Sequence, residues 1–367
     1  MAKIDELFRY LNEQQGSDLH LLATRVPRVR IHGQLTDVEG RDPLSNEELE
    51  CMLREIATPQ QWDEYQRSGD LDFAWALPGE CRFRVNFLRQ HLGAAAVFRI
   101  IPETILTFDQ LDLPQAVRDL AHLERGLVLV TGPTGSGKST TLAAIVNEIN
   151  EHYQKHIVTI EDPVEFVHQN KQCTISQREV EQDTRSFSDA LRVTIRQDTD
   201  VILVGEMRDM ETIELAITAA EMGSLVFGTL HTNSATKTID RLIDAFPASR
   251  QEQIRTTLAD SICAIVSQQL LPTADGEGRC AAHEIMLRTN SLPNIIREGN
   301  TTMLVSVIQG GMNHGMCSMD DSLAGLVKKR KITATAALSK AKDKKRFQFQ
   351  AQQEQAAENA APDNHPH

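Results

Sequence analysis

Long hydrophobic segments are missing from this sequence. No apolar run approaches the roughly 20 residues that a membrane-spanning helix requires. The stretch Ala94–Phe98 is followed at once by Arg99, and Leu225–Leu230 is followed by His231. The amino terminus, Met1 to Glu6, is polar and lacks the hydrophobic region of a signal peptide. We therefore expect no direct membrane insertion, and any membrane association should depend on a partner.

Cysteine pairs and an excess of positive charge are also missing. The six cysteines are scattered and form no CxxC pair, so neither a zinc site nor a disulfide framework is predicted. They are typical of reduced thiols in a cytosolic protein. The formal net charge of −13 and the isoelectric point near 5.4 argue against a nucleic-acid partner, because phosphate contacts need a dense basic face.

The length of 367 residues permits two or three domains. An amphipathic helix from Ile4 to Gln14, short alternating segments such as Cys81–Phe87, and a capping box at Ser45–Glu48 predict an N-terminal α+β domain over residues 1–105. Residues 106–116 are predicted to form a linker, because Pro114 and polar residues interrupt the pattern.

Residues 117–337 alternate strand and helix signals, as an α/β nucleotide-binding domain does. Nearly continuous apolar runs predict buried parallel strands at Gly126–Thr131, Ile157–Ile160, Val201–Val204 and Leu225–Thr229. From about Gln251 the pattern becomes helical. Residues 338–367 begin with basic runs and end in Gln-, Ala- and Glu-rich sequence, so this tail is predicted to be disordered.

A glycine-rich motif directly follows the first of these strands. It has the GxxxxGKS pattern of a phosphate loop, and its residues are Gly132, Pro133, Thr134, Gly135, Ser136, Gly137, Lys138, Ser139 and Thr140. Glycines let backbone N–H groups turn toward phosphates, and the following helix adds its positive N-terminal dipole. We expect Lys138 to reach the β- and γ-phosphates of ATP and the Ser139 hydroxyl to bind Mg²⁺. A chance match is the alternative, but both flanks fit a strand–loop–helix unit.

Charged side chains follow three of the other predicted strands. Glu161 and Asp162 follow Ile157–Ile160, Glu206 follows Val201–Val204, and His231 follows Leu225–Leu230. Ligands of open α/β sheets bind at the carboxyl ends of strands, so these groups should face the phosphates. The acids could bind Mg²⁺ or orient water. His231 could sense the loss of the γ-phosphate or donate a hydrogen bond to it. The alternatives are a turn-capping Asp162, an exposed acid at Glu206 and a structural His231.

Arginines of the N-terminal domain form the last candidate set. Strand alternation places Arg82 and Arg84 on one face and Phe83 and Val85 on the other, and Arg99 follows a further apolar run. Guanidinium groups grouped on one face suit a phosphate anion. Because they lie in the other domain, they could enter a neighbouring subunit's site as arginine fingers. Surface salt bridges are the alternative interpretation.

Taken together, these motifs resemble the secretion ATPase superfamily, and most closely the type IV pilus retraction (twitching motility) ATPases. The resemblance rests on the phosphate loop, Ile160–Pro163, Arg196–Asp198, Gly205–Asp209 and Thr229–Thr232, with further similarity from Gly16–Leu21 to Gly315–Met316. It implies a PAS-like N-terminal domain, a RecA-like C-terminal ATPase domain and a cytoplasmic motor that hydrolyses ATP to drive pilus retraction.

The resemblance also implies roles for the residues. Lys138 and Ser139 belong to the Walker A motif, Glu161 and Asp162 to the Asp box, Glu206 to Walker B and His231 to the His box. Glu161 and Glu206 would share Mg²⁺ binding and water activation, with their division of roles left open. The family implies a homohexamer in which Arg82, Arg84 and Arg99 act in trans. The implied partners are an inner-membrane pilus platform protein and an accessory retraction ATPase.

Subclass features favour retraction over the alternative, a pilus assembly or type II secretion ATPase. Assembly ATPases usually carry a four-cysteine metal motif and a longer N-terminal region, whereas this sequence has no such motif and its first predicted helix begins at Ile4. One position departs from the family pattern, because Ser224 replaces the first His of the His box. That replacement raises a further hypothesis, a nucleotide-regulated binding module with little turnover.

Overall fold

The computed structural model describes residues 3–31, 34–77, 80–101, 104–276 and 278–360. The chain divides into two compact units, one comprising Met1–Thr104 with Pro163–Val167 and the other Ile105–Asp162 with His168–His367. Residues Pro163–Val167 therefore belong to the first unit, although the residues before and after them in the chain belong to the second. Among the described residues, no helix is both long and apolar enough to cross a bilayer.

The first unit is a mixed sheet and helix domain. Its elements are α1 (Asp5–Glu13), β1 (Asp18–Leu22), β2 (Arg28–Ile31), β3 (Gln34–Asp37), α2 (Asn46–Ile56), α3 (Pro59–Ser68), β4 (Asp70–Leu77), β5 (Cys81–Gln90) and β6 (Gly93–Ile101). The six strands pair antiparallel in the order β3-β2-β1-β6-β5-β4. The predicted capping box is confirmed, because Ser45 and Glu48 exchange side-chain to backbone hydrogen bonds of 3.2 and 2.9 Å at the start of α2.

One face of this sheet is apolar and the other is charged. Alternation along β5 buries Phe83 and Val85 and leaves Arg84 exposed. Phe8 of α1 stacks on Phe83 with ring centroids 4.2 Å apart, which places a helix on the apolar face. The opposite face consequently carries the arginines.

The second unit is an α/β domain. Its elements are α4 (Gln115–Arg118), a 3₁₀ turn (Asp119–His122), β7 (Gly126–Thr131), α5 (Lys138–His152), β8 (His156–Glu161), β9 (Thr174–Glu179), α6 (Phe187–Thr194), β10 (Val201–Val204), α7 (Met210–Glu221), β11 (Leu225–Leu230), α8 (Ala235–Asp244), α9 (Ala248–Ser261), β12 (Ile262–Pro272), β13 (Arg279–Leu287), α10 (Leu292–Arg297), α11 (Leu304–Gly310), α12 (Met319–Lys328), α13 (Ala334–Lys340) and α14 (Lys345–Ala360), with short 3₁₀ turns on either side of α11. The seven strands are ordered β13-β12-β7-β11-β10-β8-β9, and only β13 runs antiparallel to its neighbour.

The sheet confirms the predicted buried strands and adds two strands that were predicted to be helical. The strands β7, β8, β10 and β11 match the apolar runs within one residue at each end. The prediction of helix from Gln251 onward was wrong for β12 and β13, which form a long antiparallel pair. The polar pair Ser267 and Gln268 interrupts the apolar run of β12, so the local pattern does not indicate a buried strand. Both side chains are buried, and their hydrogen-bond partners are residues distant in the chain.

The prediction of a disordered tail was wrong for the described part of that segment. Phe347 and Ala351 of α14, which lie one helical turn apart, are 1 % and 2 % exposed, and Phe347 packs in a cluster that includes Leu271 and Leu323. Glu354 accepts hydrogen bonds from the first free backbone N–H groups of α13. Two buried apolar residues, together with these hydrogen bonds, therefore attach a mostly polar helix to the second unit. Residues 361–367 lie outside the described residues.

Candidate active site

Four adjacent parallel strands of the second unit, β7, β11, β10 and β8, have their carboxyl ends side by side at one end of the sheet. Thr131 of β7 is opposite Leu230 of β11, and Val204 of β10 is opposite both Gly228 of β11 and Ile160 of β8. The segments that follow these strands contain the phosphate loop, His231, Glu206 and Glu161 with Asp162. The strand register thus brings all the strand-end residues predicted from sequence to the same edge.

The phosphate loop has a backbone that requires glycine. Gly132, Gly135 and Gly137 have φ angles of 148°, 76° and 85°, which L-residues rarely adopt. A Cβ atom at Gly132 would lie 2.3 Å from the carbonyl oxygen of Gln268, and one at Gly137 would lie 2.8 Å from Gln268 Nε2. The glycines therefore supply both the conformation and the close approach to β12.

Lys138 and Ser136 place polar groups inside the loop. The buried ammonium of Lys138 donates to the carbonyl oxygens of Gly132 and Pro133 at 2.9 and 3.2 Å. Ser136 is 2 % exposed, and its Oγ has no hydrogen-bond partner among the described residues. A buried hydroxyl without a partner is unfavourable unless a ligand satisfies it. This group and the glycine-lined cradle before α5 fit a bound phosphate.

Glu206 is held between a histidine and an arginine. Its Oε1 lies 3.0 Å from His231 Nε2 and 2.6 Å from Arg208 Nε, while Arg208 Nη2 donates to Oε2 at 2.7 Å. Burial by itself would raise the pKa of Glu206, but the Arg208 hydrogen bond and charge, with His231, outweigh it and lower that pKa. The same pair raises the pKa of Arg208. Glu206 is therefore a carboxylate, and Arg208 and His231 hold it at the end of the sheet where the loop begins.

The acids after β8 occupy a different environment. Thr159 Oγ1 donates to Glu161 Oε1 at 2.7 Å, and Gln177 Nε2 donates to the same oxygen at 3.3 Å. Glu161 is half-buried and Asp162 is exposed. Two neutral side chains thus orient Glu161, whereas Glu206 pairs with the guanidinium of Arg208.

The donor types at this end of the sheet suit a magnesium ion, but among the described residues the ligand atoms of Glu161, Asp162 and Glu206 do not all lie within 4.8 Å of one another. Ser139, Glu161, Asp162 and Glu206 offer hydroxyl and carboxylate oxygens, the hard ligands that Mg²⁺ prefers. Ser139 lies in the first turn of α5 and is half-buried, so its hydroxyl borders the loop.

The arginines of the first unit lie on its charged face. Arg84 of β5 is directly opposite Arg99 of β6, and Arg99 is in turn opposite Asp18 of β1. Arg99 Nε donates to Asp18 Oδ1 at 2.8 Å. Burial acts to raise the pKa of Asp18, but its Ser17 and Arg99 hydrogen bonds lower it overall. For Arg99 the structure therefore shows a salt bridge, which was the alternative to an arginine finger. Arg84 is exposed and Arg82 is half-buried.

Ser224 lies far from the phosphate loop. It precedes β11, whereas His231 follows the same six-residue strand, so roughly 20 Å of extended chain separates them. Its Oγ donates to the carbonyl oxygen of Thr199 at 3.1 Å, and its own carbonyl accepts from Gly126 N at 3.0 Å. Ser224 thus lies at the amino-terminal ends of the strands, away from the site. Its replacement of a histidine removes no group from the site.

Two residues of the site were not identified from the sequence. Arg208 was noted only as part of a motif, although the pattern of an acid and an arginine two residues apart could have indicated an ion pair. Gln268, which contacts the loop, gave no local signal except a polar pair inside an apolar strand.

Comparison with known proteins gives a consistent result. The family model for type II/IV secretion system proteins matches residues 3–360. The chain is 47 % identical over 337 residues to the type IV pilus retraction ATPase PilT of Pseudomonas aeruginosa, covering 92 % of this chain and 97 % of that protein. It is 50 % identical over 316 residues to a twitching motility protein of Neisseria gonorrhoeae, covering 86 % and 84 %.

A solved structure has the same architecture. The crystal structure of the pilus retraction motor PilT with bound ADP superposes with a TM-score of 0.88 at 40 % identity. The match covers 95 % of this chain and 100 % of that one. The fold of an N-terminal sheet domain followed by a parallel-sheet ATPase domain is therefore confirmed.

Proposed function

The chain belongs to the type II/IV secretion system protein family, and on this premise we propose that it is the ATP-driven motor of type IV pilus retraction. It is a nucleotide-binding P-loop ATPase, as its relatives and its fold establish. The single observation that best supports turnover, rather than passive binding, is the contact of His231 and Arg208 with Glu206 at the edge where the phosphate loop begins.

In the proposed reaction, water attacks the γ-phosphorus of ATP and the bond to the β,γ-bridging oxygen breaks. One of the two carboxylates, Glu161 or Glu206, orients the water and takes its proton. Lys138 stabilises the charge that develops on the phosphate oxygens. Glu161 accepts hydrogen bonds from Thr159 and Gln177, whereas Glu206 pairs with Arg208 and contacts His231, which positions it to follow the state of the γ-phosphate.

Magnesium completes the proposed site. Ser139 and Glu206, with Glu161 and Asp162, are the residues that would hold it. When bound, the ion would neutralise phosphate charge during transfer. Thr159 and Gln177 keep Glu161 in a single orientation, so this ligand does not need to be reordered when nucleotide enters.

We place the arginines in trans within a homohexamer. Arg84 and Arg99 face each other on the charged face of the first unit, where two guanidinium groups repel unless an anion lies between them. Asp18 partly compensates Arg99. A nucleotide on a neighbouring subunit supplies the missing anion for Arg84, with Arg82 and Arg99 beside it.

The proposed setting follows from the retraction function. The hexamer would work in the cytoplasm on an inner-membrane pilus platform protein, so that hydrolysis turns the platform and pilin subunits leave the fibre. An accessory retraction ATPase is a further proposed partner.

The test is phosphate release by the purified protein with ATP and Mg²⁺, followed beside oligomer size by light scattering. Lys138→Ala and Glu206→Ala should each abolish release while Glu148→Ala, an acid near the other end of α5, should not. In cells, loss of the gene should stop twitching motility and leave pili on the surface, and only the active variants should restore it. Full activity of Lys138→Ala would contradict the ATPase assignment, and unpiliated mutant cells would indicate an assembly motor.

A further inference from the structure

Gln268 joins the phosphate loop to the neighbouring strand. Its side chain is 2 % exposed. Its Nε2 donates to the carbonyl oxygen of Ser136 at 2.7 Å, and its Oε1 accepts from Thr141 Oγ1 at 2.8 Å. One amide therefore contacts both the loop and the helix that follows it.

The backbone of Gln268 contacts the other end of the same loop. Ser267 is opposite Thr131 in the parallel pair β12–β7, so Gln268 lies beside the point where the chain leaves β7. Its carbonyl oxygen is the atom that a Cβ at Gly132 would meet at 2.3 Å, and its Nε2 is the first atom that a Cβ at Gly137 would meet. Both ends of the loop are thus shaped around one residue.

The requirements of the sheet do not explain this residue. The two preceding positions of β12 on the same face, Val266 and Ala264, are apolar and pack in the core, as expected for a buried strand. A buried amide is unfavourable unless both its groups are bonded. Here both are bonded, and both partners, Ser136 and Thr141, belong to the nucleotide-binding segment.

We propose that Gln268 is a positioning residue that holds the phosphate loop in its binding conformation before nucleotide arrives. The loop would otherwise lose conformational freedom on binding, and that loss would weaken affinity. Because β12 continues into β13 and the C-terminal helices, movement of this strand would also be transmitted to the loop. The inference rests on the proposed ATPase function, although its first test does not.

That first test is hydrogen–deuterium exchange of the full-length protein without nucleotide. Gln268→Leu keeps the size of the side chain and removes both hydrogen bonds, so the amides of residues 136–141 should exchange about tenfold faster. Gln269→Leu is the matched control, since it makes the same chemical change one residue along the strand, on the other face. Equal exchange in the two variants would overturn the proposal.

The second test separates positioning from a loss of folded protein. Gln268→Leu should raise the KM for ATP and the Kd for ADP about tenfold, as loss of two hydrogen bonds predicts, with kcat changed less than threefold. Thr141→Val should reproduce part of this rise, and Thr141→Ser, which keeps the hydroxyl, should restore affinity. A lower kcat at unchanged KM would mean fewer folded molecules and would overturn the proposal.

The two tests also separate the inference from the proposed function. Wild-type protein that neither binds nor hydrolyses ATP would contradict the ATPase motor, while the exchange experiment would still decide whether Gln268 holds the loop. Wild-type turnover with no effect of Gln268→Leu on exchange or KM would overturn the inference alone.

Discussion

His231 Nε2 lies 3.0 Å from Glu206 Oε1, although the two residues follow different strands. The parallel register of β10 and β11 brings them together, and Thr229 Oγ1 strengthens the connection by donating to the carbonyl oxygen of Gly205 at 2.5 Å. The histidine is therefore positioned to respond to whatever changes the charge around Glu206. This contact links the end of β11, and α8 after it, to the proposed site of ATP hydrolysis.

Replacing His231 should impair turnover rather than binding. His231→Ala should lower kcat about 100-fold, because the proposed reaction loses the group that contacts the Glu206 carboxylate, while the Kd for ADP stays within threefold. Phosphate release and fluorescent-ADP titration measure the two quantities. His152→Ala is the control, because His152 also lies beside a glutamate, Glu148 at 3.8 Å, but near the far end of α5. An equal loss in the control variant would show that the Glu206 contact has no special role.

Alanine substitutions at glycines should separate backbone strain from steric clash. Gly135→Ala and Gly223→Ala introduce a side chain at φ 76° and 114° with no atom within 4 Å, so each should lower the free energy of unfolding by about 1–2 kcal/mol. Gly132→Ala adds a clash 2.3 Å from the Gln268 carbonyl and should be at least about 3 kcal/mol less stable. Chemical denaturation measures this order. If Gly132→Ala is no worse than Gly223→Ala, the loop is not fixed against β12.

Mixed hexamers should reveal whether Arg84 acts in trans. Arg84→Ala should lower kcat at least about 100-fold, as loss of an arginine finger does, and Lys138→Ala should also be inactive. Randomly mixed subunits should recover activity at about a quarter of the interfaces, where an intact loop faces an intact arginine. Phosphate release after mixing and reassembly measures this recovery. No recovery would place Arg84 in its own subunit's site, and full activity of Arg84→Ala alone would place it outside catalysis.

The buried His283 and the half-buried His168 should make the second unit sensitive to mild acid. Burial lowers the pKa of His283 from 6.5 to about 4, against an opposing effect of Asp112, and burial lowers that of His168 likewise. The unfolded chain then binds more protons between these values. Stability is therefore complete above pH 6.5 and is lost as the pH falls toward 4.

His283→Leu should remove part of this dependence. Each histidine should account for about 2 kcal/mol of the stability lost between pH 7.5 and pH 5. Both tryptophans, Trp62 and Trp75, lie in the first unit, so tryptophan fluorescence would not report on the second. Far-UV circular dichroism or pulse proteolysis should therefore follow unfolding. The same slope in wild type and in the double variant with His168→Leu would contradict the buried neutral state.

Two phenylalanines of α14 give a direct test of the packed tail helix. Phe347 is 1 % exposed and Phe349 is 69 % exposed. Phe347→Ala should lower the free energy of unfolding by about 3 kcal/mol, as deletion of a buried aromatic side chain does, while Phe349→Ala should change it by less than about 0.5 kcal/mol. Equal small effects would mean that α14 does not pack in solution.

The sequence predicted the site better than it predicted the strand pair that supports it. The phosphate loop, Glu161, Glu206 and His231 could be identified because each follows an apolar run, and parallel strands bring their carboxyl ends together. The family resemblance grouped Ser224 with them, because it stands where the family pattern has the first His of the His box. The strand β11 lies between Ser224 and His231, so the fold places them at opposite ends of that strand.

The sequence by itself determined the chemistry: a phosphate loop needs glycines, a lysine and a hydroxyl in a fixed order, and this order is local information. Tertiary structure alone decided which distant groups complete the site. Arg208 pairs with Glu206, Gln268 reaches the loop from β12, and Phe347 fixes a tail whose composition predicts disorder. The physical reason is that a buried polar or isolated apolar side chain is stabilised by partners distant in the chain, and local patterns do not encode those partners.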